Sequence, residues 1–269
     1  MAVSRSQLDG RRAWILATAH TSMVLCLGDD DTLYLPHWGA AGGTEIAADY
    51  LPHIPLNRPS EATFLDGQPL AYPIYGSPTF KEPCLVVATE NGARGSRLAF
   101  VEDHLADERL ELTFRDALLD LRLILHFDVH PPLDVIARSA ELINDGQQML
   151  FLERALSAAL ALPPDEYDVV SLHGQWGREF ELQQQPLLPG RLTNGSTRGL
   201  SSHEAHPWFA IRPRGEHDEH TGRAWCASLA WSGNWLTVFD VERNDALNIV
   251  AGIQPFDFTW RLEPGGTFS

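Results

Sequence analysis

From Leu119 to Val129 the chain alternates. Leu119, Leu121, Leu123, Leu125, Phe127 and Val129 fall on one side of an extended backbone, and Asp120, Arg122, His126 and Asp128 fall on the other with Ile124. A repeat of two residues places every one of those six apolar side chains on one face of a strand, and no helix of period 3.6 does the same. A strand with one apolar face is stable only when another layer covers it. Just upstream, Arg109–Phe114 alternates as well, and Arg115–Leu118 supplies a turn, so the two segments predict a long antiparallel hairpin.

The same texture continues along the chain. Strand-like runs occur at Val135–Ile143, Tyr167–Gly174, Trp176–Gln184, Trp208–Pro213, Ala224–Trp231 and Trp235–Arg243. Turn signals separate them every eight to twelve residues or so, as in a sandwich or barrel. Phe151–Leu162 is ambiguous, because its Ala and Leu content favours a helix. Its tight frame between two turns favours a strand. Leu247–Ile253 and Phe256–Leu262 close the pattern, the latter with Phe256, Phe258, Trp260 and Leu262 alternating. The expectation is a single all-β domain of two large antiparallel sheets, ending where a longer protein continues past Ser269. From His37 to Phe80 periodicity fades, and this stretch reads as a long loop of the kind that carries function.

The balance of 36 acidic against 20 basic residues gives a formal charge of -16. That field repels phosphate backbones and anionic lipid, so nucleic acid and membrane surfaces are poor partners, while neutral sugars are unaffected. Cys26, Cys84 and Cys226 each sit in an apolar run and read as buried free thiols of a reducing compartment. The N-terminus has no apolar signal core, and no run of 18 apolar residues occurs, which points to a cytoplasmic protein.

Chemistry-bearing motifs are sparse. The histidine pairs His126/His130, His203/His206 and His217/His220 lack the further ligands that zinc spacing requires, so neither a metal nor a cofactor is expected. No nucleophile elbow, phosphate loop or dinucleotide fingerprint occurs. His203 sits in an irregular stretch between Ser201-Ser202 and Pro207-Trp208, where a structured polar role is open to it. Most tryptophans fall on strands and read as core. Trp38, and Trp208 at the very start of its run, read as loop residues, where a flat apolar face can stack on a sugar ring; core packing is the competing reading for each.

Seven segments together resemble one family: FLDGQPLAYPIYGSPTFKEPC (Phe64–Cys84), DVIARSAELINDG (Asp134–Gly146), LERALSAALALP (Leu152–Pro163), HGQWGRE (His173–Glu179), RGLSSHEAHPWFAI (Arg198–Ile211), WSGNWL (Trp231–Leu236) and AGIQPFDFTWRLEPGGTF (Ala251–Phe268). They are collinear with the N-terminal domain of family 36 α-galactosidases. The resemblance implies a large antiparallel β-supersandwich of the galactose mutarotase-like type over residues 1–269. It also implies a catalytic (β/α)₈ barrel beyond Ser269 that carries both carboxylates of a retaining hydrolysis, so no catalytic residue lies in this chain. Expected partners are that barrel, further copies in a homo-oligomer, and α-galactoside sugars. The family's loop toward the active site corresponds to Pro59–Pro83, which makes Asp66 and Lys81 substrate-binding candidates beside Trp38 and His203. Lys81 stands where the family has Arg, and Thr79 where it has Asp; a lysine cannot make the bidentate contact of a guanidinium. A stand-alone carbohydrate-binding module and an oligomerisation module are the rival readings.

Overall fold

The computed structural model describes residues 2–47, 68–215, 220–242 and 245–269. Strands are numbered in chain order. The first sheet is a simple meander of β1 (Val3–Leu8), β2 (Arg11–Ala17), β3 (Thr21–Leu27) and β4 (Leu33–Ala40). A second contains β6 (Ala99–Leu105), β7 (Arg109–Asp116), β8 (Leu121–His130), β9 (Val135–Asn144) and the short β19 (Thr267–Phe268). The third is built on β10 (Leu150–Leu162) and adds β5 (Leu85–Thr89), β13 (Gly190–Ser196), β16 (Trp235–Val241), β17 (Leu247–Ile253) and β18 (Trp260–Leu262). The fourth has the order β12 (Arg178–Pro186), β11 (Tyr167–Gln175), β14 (Ala205–Pro213), β15 (Trp225–Ser228).

The chain is therefore all-β, with its strands divided among four sheets where two were expected. Strand twist accumulates across a sheet and limits its width, so several narrower sheets close around one core more readily than two wide flat ones. One apolar cluster draws on all four: Trp14 and Leu25 from the first, Leu112 and Phe127 from the second, Leu152 and Ile249 from the third, Val169 and Ile211 from the fourth. A polar tie joins the first two sheets, where Asp103 accepts hydrogen bonds from Arg5 Nε at 2.7 Å and Trp14 Nε1 at 2.8 Å.

The β7–β8 hairpin forms as its alternation dictates. Leu121, Leu123, Leu125, Phe127 and Val129 are all fully buried, while Leu119 lies in the preceding turn and only packs against the edge of the core. Phe151–Leu162 is a strand despite its helix propensity. β10 pairs with β17 over its second half and with β5 and β18 over its first, and two bulges, before Arg154 and before Ala158, let it serve both. Leu152, Leu156 and Ala159 are buried, so small and aliphatic residues here answer to coverage on both faces. Gly252 is required at the second bulge, because a Cβ there would lie 2.6 Å from Leu156 Cα.

Three expectations need correction. Phe256–Leu262 is not one strand: Pro255 lacks the ladder donor, Asp257 adopts φ 53° in a turn, Phe256 is exposed, and pairing resumes only at Trp260. Trp176, Trp231 and Trp260 are exposed, not core. Cys226 is exposed on β15, although Cys26 and Cys84 are buried and all three are free. Burial pushes the Cys26 thiol up to about 11 and that of Cys84 up to about 12. Thiolates are the reactive species, so Ellman's reagent at pH 8 is expected to titrate Cys226 alone in the native protein and all three thiols in denaturant. Rapid native modification of Cys84 would contradict its burial.

Among the described residues no helix is long and apolar enough to cross a membrane; α1 spans only Thr44–Ala47.

Candidate functional site

Asp66 lies outside the described residues. Lys81 lies within them, and its setting is internal. The residue is 5% exposed, and its Nζ donates to Glu242 Oε1, which also accepts from Asn248 Nδ2 on β17. The next residue is fixed too. Glu82 is held by Arg154 Nη1 from the first bulge of β10 and by Arg191 Nη1 from β13 at 2.7 Å. Arg191 also donates to the Phe80 carbonyl at 2.9 Å and pairs with Asp240 of β16 at 3.1 Å. Phe80, Lys81 and Glu82 are thus clamped to the third sheet by alternating charges: three cations (Lys81, Arg154, Arg191) face three carboxylates (Glu82, Asp240, Glu242). A buried charge is tolerated only when so paired.

His203 belongs to a different surrounding, at the end of the fourth sheet. The β11–β12 hairpin turns at Trp176-Gly177, and Gly174 permits the close return, since a Cβ there would meet the Arg178 carbonyl at 2.2 Å. Phe180 follows with φ 55°, and its N–H donates to the His203 carbonyl at 3.4 Å. Its ring stands edge-on to His203 and His206, with centroids 6.4 and 5.4 Å away. The turn carrying His203 is tied in by Ser201, which donates to the Trp231 carbonyl at 2.7 Å. Asn234 adds a second tie by accepting from Gly199 N–H at 2.6 Å. Segments distant in sequence (His173–Glu179, Arg198–Ile211 and Trp231–Leu236) converge here. They leave Trp176 89% exposed and the Trp231 indole partly so.

Trp38 is not in a loop. It lies on β4, its carbonyl accepts from Trp225 Nε1 at 2.7 Å, and its side chain packs against the main core. Trp208 is likewise a strand residue, on β14. Lys81, Trp38 and His203 therefore occupy three separate surroundings: an ion-pair clamp, a core edge and a hairpin end. Sequence reasoning missed Arg154, Arg191 and Glu242 altogether. Arg154 lay in a quoted motif, but its pairing with Glu82 spans 72 positions and that of Lys81 with Glu242 spans 161.

The family model of the glycosyl hydrolase family 36 N-terminal domain matches residues 31–263, and the chain belongs to that family. Alpha-galactosidase AgaA of Geobacillus stearothermophilus is 35% identical over 262 residues, covering 87% of this chain and 36% of AgaA. Alpha-galactosidase Mel36A of Lactobacillus acidophilus is 27% identical over 76% of the chain and 30% of its own length. The crystal structure of an AgaA variant in complex with raffinose superposes with a TM-score of 0.87 at 32% identity, over 95% of this chain and 39% of that one. The α-galactosidase of Lactobacillus brevis gives 0.86 at 27% identity, with 98% and 39% covered. The chain thus spans 30–39% of the length of these relatives.

Proposed function

We propose that this chain is the non-catalytic N-terminal β-supersandwich of an α-galactosidase, one domain over residues 1–269. The parent enzyme removes terminal α-galactosyl groups by a retaining, two-carboxylate mechanism whose carboxylates lie in a barrel outside this chain. The observation that carries the reading is the mismatch in coverage: 87% of this chain accounts for 36% of AgaA. Nearly two thirds of the relative is left for the chemistry. The close superposition on solved α-galactosidases at 31–32% identity supports the supersandwich assignment. The domain's role is to support the barrel, to contribute to a homo-oligomer in the cytoplasm, and to send the Pro59–Pro83 loop toward an active site that takes sugars of the raffinose class.

Within that loop we assign substrate contact to Asp66 and give Lys81 the task of anchoring the loop's C-terminal end. Trp38 and His203 are read as packing residues of the scaffold. Two measurements test the proposal. The purified 269-residue chain is expected to give no turnover of p-nitrophenyl α-D-galactopyranoside, whereas the polypeptide extended by its downstream coding sequence is active. Turnover by the chain alone, abolished by substituting one of its own carboxylates, overturns the reading. In the extended enzyme Asp66→Ala is expected to lower kcat/KM by the loss of a charged hydrogen bond, about 1.5–3 kcal/mol. Unchanged kinetics with a lowered Tm would make Asp66 a turn residue instead.

A further inference from the structure

A cleft of about 350 Å³ opens where the first and second sheets meet the stretch that follows residue 67. Pockets of roughly 300–1,000 Å³ are the size that takes small organic molecules. Phe114, Leu123 and Leu125 of the β7–β8 hairpin line its deep end and are themselves buried, 1–4% exposed. Leu33, Ile74 and Leu98 add aliphatic walls. One wall is held in place by two glycine turns in direct contact. Gly76 and Gly95 adopt φ 105° and 111°, and a Cβ on Gly76 would lie 2.9 Å from Ser96 N. No other residue fits at Gly76 without moving that wall.

The polar groups gather toward solvent. Asp30 and Arg97 are exposed where the cleft opens, and Asp31 is beside them. Arg97 is positioned by its backbone N–H, which donates to Asp116 Oδ2 at 2.7 Å, and Asp30 by the Thr32 N–H and hydroxyl at 3.1 and 2.8 Å. Ser96 lines the same cleft, is 7% exposed, and has a buried Oγ without a hydrogen-bond partner among the described residues. Such an orphan calls for an explanation, and a hydroxyl gains a partner by rotating about its Cα–Cβ bond.

We propose that this cleft is a binding site for an uncharged amphiphile, a molecule with a short apolar body and a hydroxylated head. The body fits the deep end at Phe114, Leu123 and Leu125. A head with both donors and acceptors fits a rim that carries carboxylates and a guanidinium together, whereas a net charge of either sign meets a like charge there. The net charge of -16 further disfavours an anion. The cleft does not include Lys81 or Glu82, although Leu70 and Pro73 line both it and the space beside the clamp, and its Leu70–Pro78 wall belongs to the Pro59–Pro83 loop. The proposal needs no α-galactosidase activity.

The test uses n-hexyl β-D-glucopyranoside with the purified chain, followed by titration calorimetry, with glucose and 1-hexanol as separate probes. The hexyl glucoside is expected to bind saturably with one-to-one stoichiometry and more tightly than either probe alone. Leu98→Trp, which fills the cleft, is expected to weaken binding by about tenfold or more, and Arg97→Ala at the rim by about threefold. Circular dichroism checks the fold of each variant; if Leu98→Trp does not fold, the surface variant Arg97→Ala decides. No saturable binding to the folded wild-type chain overturns the proposal. So does affinity unchanged in the folded variants, or hexanol binding as tightly as the glucoside.

Discussion

Lys81→Ala is expected to destabilise the isolated chain by about 3–5 kcal/mol, because it leaves Glu242 buried without its cation. For a chain of this size that corresponds to a Tm loss on the order of 10 °C. The Glu242 carboxylate keeps one donor, Asn248, while its Oε2 has no partner among the described residues, so among those residues only Asn248 offsets the lost ammonium. The double variant Lys81→Met with Glu242→Leu should recover much of the loss, since removing both charges also removes their desolvation. Thermal unfolding of the two variants measures both. The outcome separates two roles for one residue: a substrate-contacting lysine leaves the Tm of the isolated chain unchanged when removed, and a clamp does not.

Phe127→Ala is expected to cost a comparable amount, about 3–5 kcal/mol, through the cavity it opens. Phe127 is fully buried in the core, between Leu110 of β7 and Arg138 of β9 in register. The Arg138 guanidinium lies over its ring at 5.1 Å from the centroid and donates to the Ala71 carbonyl at 2.9 Å and to that of Ala159. Removing the ring therefore takes the packing surface from under a side chain that ties β9 to β10 and to the segment before β5. Asp128→Ala, one residue along and on the other face, removes only a partly exposed pairing with Arg109 at 3.7 Å, and should change stability by less than about 1 kcal/mol. Chemical denaturation of both variants checks the contrast. Equal effects would mean that β8 does not present one face to the core.

That contrast also marks how far the sequence carries. A period of two is a local property: it sets which way each side chain of β7 and β8 points before any partner is known. Residues 109–130 were therefore legible as a hairpin, and the all-β class with them. The quoted motifs likewise placed the chain in its family, because collinear identities survive without any knowledge of contacts. β10 was legible for a weaker reason, its frame of turns, against its own helix propensity; only the pairing with β5, β18 and β17 overrides that preference.

What the tertiary structure alone decided has a common physical cause: interactions that close over long stretches of chain. The number of sheets follows from twist and closure, which no single strand encodes. Trp176 is exposed at the turn of a hairpin whose β12 is left uncovered on both faces, and the exposure of Trp260 depends on whether another layer happens to cover β18. Lys81 could be compared with a family position from sequence, but its burial against Glu242 depends on a contact 161 residues away. The sequence by itself determined local direction and kinship. The folded chain decided which charges are neutralised, and so turned a lysine on a loop into the anchor of that loop.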